Sequence, residues 1–159
     1  WWGCSFNCKP DEYLKSPRFT MNHKFIPSNG AQSFMHSQPS PLSIAALKAS
    51  MISFDKINIL NLRKKSIKLT AYLENLIKLL IPKNYIYQIT PSNPQKRGAQ
   101  LSIKFLKGDL CAIHNKLKQK GIIVDLRKPD VMRISPNPMY NSFVDVWTFV
   151  TLLKKVLIE

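Results

Sequence analysis

From about Ser40 the apolar residues recur at three- and four-residue steps, and Leu42, Ala45, Ala46, Ala49 and Ile52 mark one side of a predicted helix. Pro41 opens it, because the fixed φ of proline suits a first helical turn. After a break near residues 55–58, a longer helix is predicted with Leu62, Leu69, Leu73, Leu76 and Leu80 as its buried stripe. Arg63, Lys64, Lys68, Glu74, Asn75 and Lys78 fall mostly on its wet side, and Pro82 ends it. The period then drops to two. Residues 85–90 and 101–106 predict strands joined by the polar loop 91–98. Gly108-Asp109 starts a helix that carries Leu110, Ile113 and Leu117 on one face and stops at Gly121. Residues 122–126 and 131–135 predict two more strands. A last helix buries Phe143, Val146, Trp147, Val150, Leu153 and Leu157. The order β-β-α-β-β-α after two helices predicts an α+β layer, a small antiparallel or mixed sheet with helices on one face. No internal repeat is visible.

Residues 1–41 lack such a period and are rich in Pro, Ser, Asn and aromatics. Phe6, Tyr13, Phe19, Met21, Phe25, Ile26, Phe34 and Met35 are too many apolar groups for a disordered segment, so an ordered, loop-rich stretch lying against a larger body is expected. The chain opens on two tryptophans rather than Met, and it reads as a piece of a larger protein.

At 159 residues and 45% hydrophobic content the chain can bury one ordinary core. Its net charge of +15 comes from 24 Lys and Arg against 9 Asp and Glu. Such a balance can serve nucleic acid or an anionic membrane, but these cations are spread along the whole chain, so neither partner is expected. A basic, non-catalytic nucleic-acid-binding module stays open as an alternative. Three cysteines, at 4, 8 and 111, form no disulfide framework, so reduced thiols and a cytoplasmic setting are expected. No apolar run reaches the length of a membrane span. Cys4, Cys8, His23 and His36 fit no tight zinc spacing, and no metal is expected. Cys111 reads as a small core residue and His114 as a boundary residue. No glycine-rich phosphate loop, nucleophilic triad or working pair of carboxylates appears, so no self-contained active site is legible.

Residues 131–143 carry the most chemistry. Alternation puts Val131, Arg133 and Ser135 on one face of a strand and Met132 and Ile134 on the other. Pro136 and Pro138 stop the strand stiffly, and Ser142-x-x-Asp145 reads as a capping box with Asp in place of Glu. Such a mount aims an arginine outward, where its planar fork can take a carboxylate, although a plain solvated arginine has the same pattern. In the first segment, the Trp1 indole N–H and the Ser37-Gln38 pair beside a helix start are donors suited to a phosphate, or else a packing residue and a loop amide.

Taken in order, many stretches resemble the C-terminal part of the kynureninase family. They include Trp1-Trp2-Gly3, Arg18-Phe19-x-Met21, Ile26-Pro27 before Gly30-Ala31, Ser37-Gln38-Pro39 and Leu47-Lys48-Ala49-Ser50-Met51. They continue with Leu62-Arg63-Lys64-Lys65-Ser66, Leu69-Thr70-x-Tyr72-Leu73-Glu74, Ile89-Thr90-Pro91 and Arg97-Gly98-x-Gln100-Leu101. Met132-Arg133-Ile134 and Pro138-Met139-Tyr140-Asn141-Ser142-Phe143 complete the set. The resemblance implies a homodimeric, pyridoxal 5'-phosphate-dependent hydrolase of the aspartate-aminotransferase-like fold. Such an enzyme cleaves L-kynurenine to anthranilate and L-alanine in tryptophan catabolism, on a route that can feed NAD synthesis. It implies that residues 1–41 end the large cofactor domain and residues 42–159 form the small C-terminal domain. Trp1 and Gln38 would touch the cofactor phosphate, and Arg133 would grip the substrate α-carboxylate. Gln38 departs from the family's usual Asn, and Cys4 from a frequent His. The family's cofactor-anchoring lysine lies upstream of the matching region, so this polypeptide alone is expected to be inactive. Another enzyme of the class V aminotransferase type, such as a cysteine desulfurase, would share the arginine.

Overall fold

The structure is a computed structural model that describes residues 19 and 23–158, and it divides into two compact units, Trp1–Asp55 and Lys56–Glu159. In the first unit a 3-10 turn at Gly30–Phe34 opens with Gly30 at a φ of 69°, a left-handed value that only glycine adopts at low cost. Helix α1 follows at Pro41–Asp55, and Ile44 N–H donates to the Ser40 carbonyl at 3.0 Å. None of its residues is buried, so the small apolar stripe read there is exposed.

The second unit begins with α2, Ile59–Leu80, whose N-cap Asn58 accepts from Leu60 N–H at 2.8 Å. Strands β1 (Ile86–Gln88) and β2 (Leu101–Phe105) pair antiparallel; α3 (Leu110–Gln119) then leads to β3 (Asp125–Arg127) and β4 (Val131–Ile134), which pair likewise. Since β2 also runs antiparallel to β4, the sheet is wholly antiparallel, in the order β1-β2-β4-β3. Helix α4, Phe143–Ile158, closes the unit. Ile86, Leu101, Ile103, Phe105, Met132 and Ile134 point inward to join Leu69, Leu73 and Leu76 of α2, Leu110, Ile113 and Leu117 of α3, and Val146, Phe149, Val150 and Leu153 of α4 in one core. The α+β layer with one helix-covered sheet face is therefore as expected.

Local chemistry fixes the ends of α3. Asp109 accepts from Cys111 N–H at 2.8 Å at the start. At the finish Gly121 has a φ of 79°, its N–H donates to the Lys118 carbonyl at 3.0 Å, and Ile122 N–H donates to the Leu117 carbonyl at 3.0 Å. This is the glycine-dependent Schellman ending. It carries the chain away from the helix over residues 122–124, so β3 starts at Asp125 rather than at Ile122 as expected.

Four more expectations are corrected. Cys111 is exposed, because Leu110, Ile113 and Leu117 define the buried face of α3 and residue 111 lies off it. On α4, Phe149 is buried while Phe143 and Trp147 are exposed. On α2, neither Glu74 nor Arg63 belongs to a wet side. The loop 91–100 covers both: Glu74 is only 4% exposed, and Arg63 donates through Nη2 to the Pro94 carbonyl at 2.5 Å and the Arg97 carbonyl at 3.0 Å.

Glu74 ties that loop down. Its carboxylate accepts from Lys78 Nζ at 2.5 Å, from Ser92 Oγ, and from Arg97 Nη1 at 2.5 Å, while Thr70 Oγ1 donates to the Ala99 carbonyl at 3.2 Å. Burial alone would push this carboxyl up. The hydrogen bonds from Lys78, Ser92 and Arg97, with the Arg97 charge, outweigh it and hold the pKa at about 2 against the ordinary 4.5. A folded-state pKa below the unfolded one stabilises the fold fully above pH 4.5, and that contribution is lost as pH falls toward about 2. Glu74→Gln is expected to lower unfolding free energy at neutral pH by roughly 3 kcal/mol, because it strands the buried Arg97. In urea titrations at successive pH values, the gap between the two proteins should narrow as pH drops through that window.

Candidate functional site

The face of the sheet turned away from the helices is polar. Tyr87, Ser102, Lys104, Val131, Arg133, Asp125 and Arg127 alternate with the buried set, and none of them is buried. Arg133 sits in the middle of this face, opposite Ser102 on β2 and Asp125 on β3. Its side chain is 34% exposed, as the strand alternation predicts.

The arginine is held. Its Nε and Nη2 both donate to Asp125 Oδ2, Nε at 2.5 Å, and Arg127 Nε donates to the same oxygen at 3.1 Å. The Arg133 hydrogen bond first, and then Arg127, keep the Asp125 carboxyl below its usual range. Asp125 and Arg127 are functional candidates that the sequence reading missed. The signal was available: a tight turn at Lys128-Pro129-Asp130 places Asp125 across from Arg133 and Arg127 across from Val131.

The mount behind Arg133 forms as read. Asn137 N–H donates to Asn141 Oδ1 at 2.8 Å, Met139 N–H to Asn137 Oδ1 at 2.8 Å, and Asn141 N–H to the Asn137 carbonyl at 2.8 Å. The capping box closes reciprocally: Ser142 N–H donates to Asp145 Oδ2 at 2.8 Å and Asp145 N–H to Ser142 Oγ at 3.2 Å. The Ser142 backbone donor, and then its hydroxyl, hold the Asp145 carboxyl below its usual range. Phe143 meets Tyr72 of α2 edge-on, with ring centroids 5.4 Å apart. A cleft of about 530 Å³ opens beside the mount, lined in part by Ile122, Ser135, Pro136 and Tyr140, and Arg133 does not line it.

Gln38 lies in the first unit, exposed, between the 3-10 turn and Pro41 of α1. Trp1, together with Cys4 and Cys8, falls outside the described residues. Among the described residues no group of His, Cys, Asp or Glu is placed to hold a metal ion.

Comparison with known proteins decides what this arrangement belongs to. The sequence model of the family described as "Kynureninase C-terminal domain" matches residues 62–153, more than half of the chain. The chain belongs to the kynureninase C-terminal domain family. It is 43% identical over 157 residues to "Kynureninase" of Coccidioides immitis, covering 96% of this chain and 31% of that protein. To "Kynureninase 2" of Aspergillus niger it is 44% identical over 149 residues, covering 90% of this chain and 31% of that protein. Thus the chain spans about a third of the length of the curated kynureninases that it matches. Its fold is similar to that of a solved "NIFS-LIKE PROTEIN", with a TM-score of 0.62 at 20% identity, over 86% of this chain and 40% of that one. The kynureninase family match includes Arg133, Asp125 and the whole Ser142 mount.

Because the capping box fixes where α4 leaves the mount, Ser142→Ala is expected to cost about 1 kcal/mol of unfolding free energy. Equilibrium urea denaturation, read as a lower midpoint at unchanged slope, checks this.

Proposed function

We propose that this chain supplies one side of the active site of a pyridoxal 5'-phosphate-dependent hydrolase. The enzyme cleaves L-kynurenine to anthranilate and L-alanine, and takes the 3-hydroxy form likewise, in tryptophan catabolism and the supply of NAD. The observation that carries this reading is Arg133, a half-buried guanidinium mounted on the open face of a kynureninase-family sheet. There its role is to take the substrate α-carboxylate by paired, charge-assisted hydrogen bonds.

The residues present fit the cofactor's phosphate end in their chemistry. Gln38 carries an exposed amide donor three residues before the start of α1, and the resemblance adds the Trp1 indole N–H. When bound, the cofactor supplies an electron sink. This chain's part is to bind and orient, and the lysine that anchors the cofactor belongs to the portion of the kynureninases that the chain does not span. Residues 1–41 then close the large cofactor domain and residues 42–159 form the small one. The working protein is a cytoplasmic homodimer with no nucleic-acid or membrane partner. No helix among the described residues is long and apolar enough to cross a membrane.

The fold likeness to a NifS-like protein keeps a second reading in view, an enzyme of the cysteine desulfurase or aminotransferase type. A substrate screen on the full-length protein separates them. Release of anthranilate from L-kynurenine supports the first reading, and sulfur transfer or transamination supports the second. In the same protein, Arg133→Lys removes the fork and is expected to raise KM for L-kynurenine about 10- to 100-fold, the worth of a charged hydrogen-bond pair. An unchanged KM would remove Arg133 from the site.

A further inference from the structure

The way Arg133 is held says which edge of it is left to work. A guanidinium has five N–H donors in a rigid plane, arranged as a side edge (Nε with one Nη) and an end edge (both Nη atoms). Asp125 takes the side edge, through Nε and Nη2. Among the described residues no acceptor meets Nη1, so the end edge, Nη1 with the second hydrogen of Nη2, stays open. Two observations show that the hold is built in. Asp125 and Arg133 are direct cross-strand partners, so the sheet register sets their distance. Arg127 bonds the same Asp125 oxygen from two residues along β3, a second tie on the carboxylate. The charges also balance usefully. A lone Asp125–Arg133 pair would be neutral and would attract an anion weakly. With Arg127 the trio carries one net positive charge, which matches one carboxylate.

We propose that Asp125 is the positioning residue of this clamp: it occupies the side edge of Arg133 so that the end edge is presented, in one orientation, to the α-carboxylate of the substrate. The inference rests on the proposed role of Arg133. Without Asp125 the guanidinium regains its rotamers and must be ordered at each binding event, so substrate capture weakens while the steps after capture proceed as before.

The test uses the full-length, cofactor-loaded protein and compares the parent with Asp125→Asn, Asp125→Glu, Arg133→Lys and the double variant Asp125→Asn/Arg133→Lys. Readouts are kcat and KM for L-kynurenine, and the inhibition constant of its decarboxylated amine, which lacks the group the clamp receives. Asp125→Asn is expected to raise KM about 10-fold, with kcat and the amine's inhibition constant within about 2-fold of the parent. Asp125→Glu, which restores the charge, should fall between the two. In the Arg133→Lys background, adding Asp125→Asn should change KM by less than about 2-fold, because an ammonium has no side edge to hold. If Asp125→Asn does not fold, Asp125→Thr, a good strand former, carries the same comparison.

The inference is overturned if KM survives loss of Asp125 while Arg133→Lys still raises it. It is also overturned if Asp125→Asn weakens the amine as much as the amino acid, which marks a general structural role. An unchanged KM in Arg133→Lys removes Arg133 from the site, and this inference with it, whereas absence of anthranilate release from the parent sinks the proposed function itself.

Discussion

Met132 and Ile134 are buried against the helices, and a pleated strand cannot turn adjacent residues to the same side. Arg133, between them, must therefore face the other way. A slip of one residue in the β2–β4 pairing would drive the guanidinium into a core built from leucine, isoleucine and phenylalanine, where an uncompensated charge costs several kcal/mol. Burial on one face thus fixes the position of the arginine on the opposite face. The same register brings Asp125 and Ser102 to its flanks, and the Ser142 box holds the strand's exit against α4.

A second constraint acts from α2. The stretch before β2 has little regular structure of its own, only a short 3-10 turn at Pro94–Lys96. Its order comes from groups that reach across from the helix: Arg63 and Thr70 satisfy its carbonyls, and Glu74 gathers Ser92 and Arg97. Glu74 and Arg97 have side chains only 6% and 3% exposed, so each charge needs the other. β2 follows directly, and the strand carrying Arg133 pairs with it. The polar ties thus stabilise one neighbour of the site strand, while apolar packing stabilises its back.

Much of this was legible in the sequence. The strand alternation around Arg133, the Ser142–Asp145 box, the face of α3 and the order of elements all follow from local pattern, because each depends on residues within about one or two turns of one another. The failures share a physical cause. Glu74 and Arg63 read as solvated because helix periodicity says nothing about a loop that returns 18 to 34 residues later. Helix α4 is apolar around much of its circumference, so its pattern could not rank Phe149 above Trp147. Asp125 was hidden by treating strands singly, although counting back from the turn would have paired it with Arg133. Of the two residues that the resemblance would put at a cofactor phosphate, Gln38 shows an exposed amide and no more, and Trp1 lies outside the described residues.

The two outer strands, β1 and β3, are only three residues long each, and β3 ends in Asp125 and Arg127 with an exposed Lys128-Pro129 beyond. A short, charged strand followed by proline on the β3 border, and only three residues on the β1 border, make a poor template for another chain's backbone, so the sheet resists growing into a fibre. The acid and base that hold the central guanidinium therefore also act as gatekeepers against aggregation. Replacing them by neutral strand formers to gain stability would trade away colloidal behaviour.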